Sequence, residues 1–148
     1  MNQKRIHVAV IPDGNRRYAK KIGRPIFYGH MKGARKMEEF LDWCTEYKEI
    51  KVVSIYALSS ENIRRSKEEL ENLWNIFKQE LIRLKKSEKI KKYGIKVNVL
   101  GNEEIWRNDI KQVAKDLMRL TAQYSRLMLN LSLIHISEPT RLGMISYA

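Results

Sequence analysis

The stretch Ile6 to Lys21, IHVAVIPDGNRRYAKK, carries a short apolar segment into a proline, then one carboxylate, Asp13, then a crowd of cations. An apolar run closed by Pro-Asp-Gly-Asn reads as a buried strand, Ile6 to Ile11, that delivers a polar loop. Arg16, Arg17, Lys20 and Lys21 follow directly. Neighbouring positive charge favours the ionised form of Asp13, which suits it to bind a hard cation rather than to donate a proton. Magnesium takes one or two protein carboxylates and completes its shell with phosphate oxygens and water, so a lone acid among bases fits a metal-bridged diphosphate. Gly14 lets the backbone approach such an anion, and Arg16 and Arg17 offer forked donors to phosphate oxygens. Taken alone, Asp-Gly-Asn reads first as an Asx turn with solvated charges. The rest of the chain decides between the two.

From His30 onward, Gly33, Ala34, Met37, Phe40, Leu41 and Cys44 recur at helical spacing. KVVSIYAL, Lys51 to Leu58, is apolar and rich in β-branched residues, which predicts a second buried strand. It opens into SSENIRRS. Ser66 with Glu69 makes a capping box, and Leu70, Leu73, Trp74, Phe77, Leu81 and Leu84 carry an apolar stripe along the helix it starts. The basic tail of that helix, RLKKSEKIKK, reads as a solvated face. IKVNVLG predicts a third strand, Trp106 to Tyr124 a further helix, and RLMLNLS a fourth strand. Alternating strands and helices predict an α/β fold with a largely parallel sheet flanked by helices, its ligands lying beyond the carboxyl ends of the strands. The second polar loop then emerges at the same edge as Asp13 and brings Ser59, Ser60, Glu61, Asn62, Arg64 and Arg65 there. Its bland reading is a cap with solvated arginines.

Among the remaining candidates, His30 at a helix start reads as a cap, a packing residue or a phosphate donor. His7 alternates within a strand and takes no role. The Trp and Met residues fall on helical stripes and strands, which predicts a place in the core rather than a recognition surface.

A length of 148 residues with 43% hydrophobic content suits one globular domain. The 29 lysines and arginines outnumber 17 acids, and the net charge of +12 predicts attraction to polyanions, phosphorylated metabolites or an anionic membrane surface. The single Cys44 allows no internal disulfide and no cysteine-rich zinc cluster. No run approaches the ~20 apolar residues of a membrane-spanning helix, and the N-terminus has no secretory signal. These features predict a cytoplasmic protein, with a peripheral contact at the inner face of a membrane as a further expectation. The last stretch, LIHISEPTRLGMISYA, Leu133 to Ala148, lacks any periodicity and is similar to translated sequencing adapter. The expected division is therefore residues 1–132 as the N-terminal portion of one domain and 133–148 as a non-native tail.

Three blocks together, HVAVIPDGNRRYAKK, GHMKGARK and YALSSENIRRSKEE, resemble in order and separation the cis-prenyltransferases, the undecaprenyl and dehydrodolichyl diphosphate synthase group. The resemblance runs from about His7 to Ser132, and LMLNLS is similar to the family strand that leads into Tyr-Gly-Gly-Arg. It implies condensation of isopentenyl diphosphate with an allylic diphosphate, farnesyl or geranylgeranyl, by a magnesium-dependent homodimer that has no need of nucleic acid. It assigns Asp13 to metal and diphosphate, and Gly14, Asn15, Arg16 and Arg17 to the allylic diphosphate. Tyr18 and His30 match substrate contacts, as do Ser59, Ser60, Glu61 and Arg65. Asn62 matches the asparagine assigned to proton removal. An amide has almost no basicity, so Asn62 is expected to orient the isopentenyl unit or a diphosphate oxygen that takes the proton.

Ile63 stands where the family commonly has an aromatic residue, and Ile26 where a relative can carry a phosphate-binding arginine, with Arg24 close by. The family's later Arg-Thr-Gly-Gly and Arg-x-Ser-x-Phe segments for isopentenyl diphosphate are absent from this sequence. Two readings compete. A basic nucleic-acid-binding α/β module accounts for the charge but lacks an accompanying motif. A non-catalytic subunit of a heteromeric prenyltransferase has no reason to keep Asp13, Asn15, Arg17 and Asn62 together. A trans-type synthase is disfavoured, because the chain contains no Asp-Asp pair.

Overall fold

The computed structural model of the chain describes residues 3–134. Its elements are β1 (Ile6–Val10), α1 (Asn15–Lys21), α2 (Ile26–Glu46), β2 (Ile50–Leu58), a 3-10 turn (Ser60–Arg64), α3 (Lys67–Lys86), α4 (Glu88–Lys92), β3 (Ile95–Leu100), α5 (Asn108–Thr121) and β4 (Leu127–Leu133). The strands form one sheet in the order β1-β2-β4-β3, and all three pairings are parallel. The expected α/β architecture is therefore present, and β1, β2 and β3 deliver their following loops to one edge.

Strict alternation along β3 and β4 buries Ile95, Val97, Val99, Leu127, Leu129, Leu131 and Leu133 while leaving the residues between them partly or fully exposed. Register aligns Val53 of β2 with Leu129, and Leu129 with Val97, so these belong to one face. Onto that face pack Leu41 and Cys44 of α2, Leu73, Trp74, Phe77 and Leu81 of α3, and Ile110, Ala114 and Leu117 of α5. The opposite face carries a polar ladder through all four strands. His7 Nε2 lies 2.7 Å from Ser54 Oγ, Asn130 Nδ2 donates to Ser54 Oγ at 3.2 Å, and Asn98 Nδ2 donates to Asn130 Oδ1 at 3.1 Å.

Three expectations need correction. The first strand is not buried: Ile6 is 42% and Ile11 74% exposed, because β1 pairs only with β2 and ends the sheet. Trp43 leaves the core that holds Trp74 and Trp106, because it lies on the flank of α2 that turns away from the sheet, where it is 55% exposed. The basic tail is not one continuous helix either. Ser87, extended, ends α3 and caps α4 by accepting from the Lys89 amide. Of the stretch read as a tail, Leu133 completes β4 and Ile134 is buried, its amide donating to Leu58 O at 2.8 Å. Residues 135–148 of that stretch lie outside the described residues.

Candidate functional site

β1 and β2 are neighbours and parallel, so the loops that follow them open side by side. After β1 the chain reaches Pro12 and Asp13 and turns at Gly14, whose φ of 90° only glycine adopts without strain. Asp13 Oδ1 accepts from the Gly14 amide at 2.6 Å, and Oδ2 lies 3.4 Å from Arg17 Nη2. The carboxylate and the Arg17 side chain are each 82% exposed, so the pair is held open to solvent.

Asn15 starts α1 and sits against α2 at two glycines. A Cβ on Gly29 would strike the Asn15 carbonyl, and one on Gly33 would strike its side-chain amide. These glycines let the two helices approach closely enough to set where Asn15 stands. Tyr18, on the same short helix, is 46% exposed.

After β2, Asn62 Oδ1 accepts from the Ser59 amide at 2.6 Å and from Ser59 Oγ at 2.9 Å. An amide nitrogen cannot accept these bonds, so the oxygen of Asn62 is committed to the turn and its Nδ2 remains as a donor. Ser60 and Glu61 belong to the 3-10 turn, and their side chains lie outside the described ones. Ile63 is half-buried and packs against the core.

The two loops meet at Glu69, which the sequence pattern presents as half of a capping box. Ser66 does cap α3, accepting from the Glu69 amide at 3.2 Å. The Glu69 carboxylate, 10% exposed, turns inward instead. Its Oε1 lies 3.0 Å from Arg65 Nη1, 3.1 Å from His30 Nε2 and 3.5 Å from Arg16 Nε. One oxygen thus joins α1, α2 and the loop after β2. Arg65 four residues before Glu69 was a signal for part of this cluster; nothing local pointed to Arg16 or His30.

His30 stands in the second turn of α2 and not at a helix start, so it does not cap; it is packed, 7% exposed. Burial lowers its pKa against the pull of Glu69, with Arg65 and Arg16 adding to the lowering, so the ring is neutral at pH 7. Burial pushes Glu69 upward. The His30 hydrogen bond and the charges of Arg65 and Arg16 outweigh it and hold the carboxyl below its ordinary value. The centre is an ionised carboxylate with a neutral imidazole and two guanidinium groups.

Of the predicted residues, Arg16, His30 and Arg65 converge, Asp13 pairs with Arg17, and Asn62 pairs with Ser59. Arg24 is exposed, its guanidinium carbon 5.6 Å from the Tyr28 ring centre. Among the described residues no three His, Cys, Asp or Glu side chains gather as a metal cluster.

The fold is a parallel α/β sheet that carries two basic loops over adjacent strand ends, at the carboxyl edge where ligands of such sheets lie. A family model described as "Putative undecaprenyl diphosphate synthase" matches residues 11–138, and the chain belongs to that family. It is 43% identical over 129 residues, 87% of this chain and 48% of the relative, to the tritrans,polycis-undecaprenyl-diphosphate synthase (geranylgeranyl-diphosphate specific) of Thermococcus kodakarensis. The protein of the same name from Pyrococcus abyssi is 41% identical over the same length and share. The crystal structure of lavandulyl diphosphate synthase from Lavandula x intermedia in complex with dimethylallyl diphosphate shares the fold. Its TM-score is 0.79 at 21% identity, over 95% of this chain and 62% of that one. The chain spans about half the length of the curated relatives it matches.

Proposed function

We propose that this chain forms the allylic-diphosphate half of a cis-prenyltransferase that joins isopentenyl diphosphate to an allylic diphosphate. The observation that carries the reading is the convergence of Arg16 and Arg65, from the loops after two adjacent parallel strands, on Glu69. Between isoprenoid starters, the specificity in the relatives' names favours geranylgeranyl over farnesyl diphosphate.

In this reading Asp13, Gly14, Asn15, Arg16 and Arg17 receive the diphosphate, with Tyr18 beside the chain it carries. The donor set fits magnesium only together with its anion, since one exposed carboxylate is a single ligand and phosphate oxygens must supply others. Magnesium held there by Asp13 together with the phosphate oxygens would supply charge neutralisation for the departing diphosphate. Arg16 and Arg17 add forked donors to the same oxygens. Ser59, Ser60, Glu61 and Arg65 contact substrate from the second loop. His30, buried behind it, contributes by holding Glu69.

Asn62 does not take the proton. Its oxygen already accepts two bonds from Ser59, and its Nδ2 donates to a diphosphate oxygen, which orients the group that does. The complete protein is read as a cytoplasmic homodimer in peripheral contact with a membrane. The charge of +12 supports that contact, and among the described residues no helix is long and apolar enough to cross a bilayer.

Titration calorimetry of this chain with geranylgeranyl diphosphate tests the reading. Uptake is expected to require magnesium and to disappear in Asp13→Ala; equal uptake by that variant, or uptake indifferent to magnesium, overturns it.

A further inference from the structure

Between Asp13 and Glu38 the chain carries eight lysines and arginines and no carboxylate. Arg16 and Arg17 are engaged with Glu69 and Asp13. Among the described residues Lys20, Lys21, Arg24 and Lys32 have no carboxylate partner. They gather where α1 turns into α2. Gly23, at φ 67°, makes the turn, and the Arg24 amide donates to Ala19 O at 2.9 Å to close it. The Arg24 guanidinium and the Lys32 ammonium lie 5.6 and 5.5 Å from the Tyr28 ring centre, which groups both cations about one side chain.

Large apolar side chains stand among these charges. Ile22, the residue after α1, is 42% exposed, and Phe27, in the first turn of α2, is 44% exposed. An exposed aliphatic and an exposed aromatic within an unneutralised basic corner have the chemistry of a bilayer interface. The apolar groups enter the acyl boundary while the ammonium and guanidinium groups meet lipid phosphates. A second exposed pair, Trp43 and Tyr47, lies near the other end of α2, where Glu39 pairs with Lys36 and Asp42 with Lys89, so the surface there is of mixed charge rather than basic. A nucleic acid fits the corner less well. Tyr18, Phe27 and Tyr28 do offer rings to stack on, but from Arg16 to Phe27 there is no Asn, Gln, Ser or Thr to read a base edge, and the exposed aliphatic Ile22 suits an acyl boundary rather than a base.

We propose that the corner between α1 and α2, with Ile22 and Phe27 set among Lys20, Lys21, Arg24 and Lys32, docks on an anionic lipid bilayer. The surface gives the proposed membrane contact its location. It needs neither magnesium nor a prenyl diphosphate, so its failure and that of the diphosphate reading are separable.

Co-sedimentation of this chain with vesicles of phosphatidylcholine, alone or with phosphatidylglycerol, tests it beside a gel shift with single-stranded RNA. Binding is expected to the anionic vesicles alone and to weaken with salt. The double variant Ile22→Ser, Phe27→Ser should lower the partition coefficient by about tenfold or more, as should Lys20→Glu with Lys21→Glu. In the unaltered chain, hydrogen exchange with and without anionic vesicles should show new protection over residues 18–27. That measurement stands even where a variant misfolds. Equal binding to neutral vesicles, undiminished binding by folded variants, or protection confined to the basic α3–α4 tail overturns the proposal. So does an RNA shift in the absence of vesicle binding.

Discussion

Glu69 binds three different elements through one oxygen, and its loss should be felt well beyond its own helix. Arg65 and His30 are its shorter partners, and both they and the carboxylate are largely shielded. Arg16 is 46% exposed, so its share is discounted for solvent screening. Removing the acid strands a guanidinium and an imidazole in a place arranged around negative charge. Glu69→Ala is therefore expected to cost about 2 to 4 kcal/mol, read from urea unfolding of this chain. A cost near zero would show that the loops hold their positions without it. Asp13 is the opposite case. Exposed, and with Arg17 its one ion-pair partner among the described residues, it is expected to be removable with little effect on stability, whereas the proposed magnesium-dependent uptake should disappear.

The packing of α2 on α3 carries its own titration. Arg83 reaches Glu38 at 3.2 Å through Nε and Glu80 at 3.9 Å through Nη1, which draws two carboxyl groups together. Burial, then the hydrogen bond and charge of Glu38, push Glu80 up to about 7, against the opposing charges of Arg83 and Arg35. Above its ordinary value, this group keeps a proton in the folded chain that the unfolded chain has already released. Its contribution is thus whole below pH ~4.5 and fades as pH rises through about 7. The stability of Glu80→Gln relative to the unaltered chain should therefore increase from pH 5 to pH 8; a constant difference refutes the shared proton. At the other edge of the sheet, α5 shields β3 with side chains in place of another strand. Thr121 Oγ1 accepts from the Val97 amide at 3.0 Å and donates to Leu117 O at 3.0 Å, fully buried. Thr121→Val keeps the shape and orphans a buried amide, at an expected cost of about 1 to 3 kcal/mol in thermal or urea unfolding. Thr121→Ser, which keeps the hydroxyl, should retain that hydrogen bond.

About half of the relatives' length is represented by this chain, and the described sheet is buried on one face only. Parallel sheets are ordinarily covered on both. This chain supplied with magnesium, geranylgeranyl diphosphate and isopentenyl diphosphate is expected to bind the first substrate and release no elongated product. A polyprenyl product from the purified chain would disprove that. Strands, the three long helices and both loops were legible from the residues because their signals are local: a proline and glycine after an apolar run, a 3.6-residue stripe, a serine ahead of a helix. The short α1 and α4 were not, since neither is long enough to show a stripe. The parallel sheet followed from the alternation of strands and long helices. The edge position of β1 did not, because apolar composition is the same whether a strand lies at the middle or the end of a sheet. Nor did Glu69, whose bond to His30 spans 39 residues. By itself the sequence determined which segments would form and which two loops would hold the polar residues. Only the tertiary structure decided that those loops share a single buried carboxylate, because that depends on which strands become neighbours and where α3 crosses them.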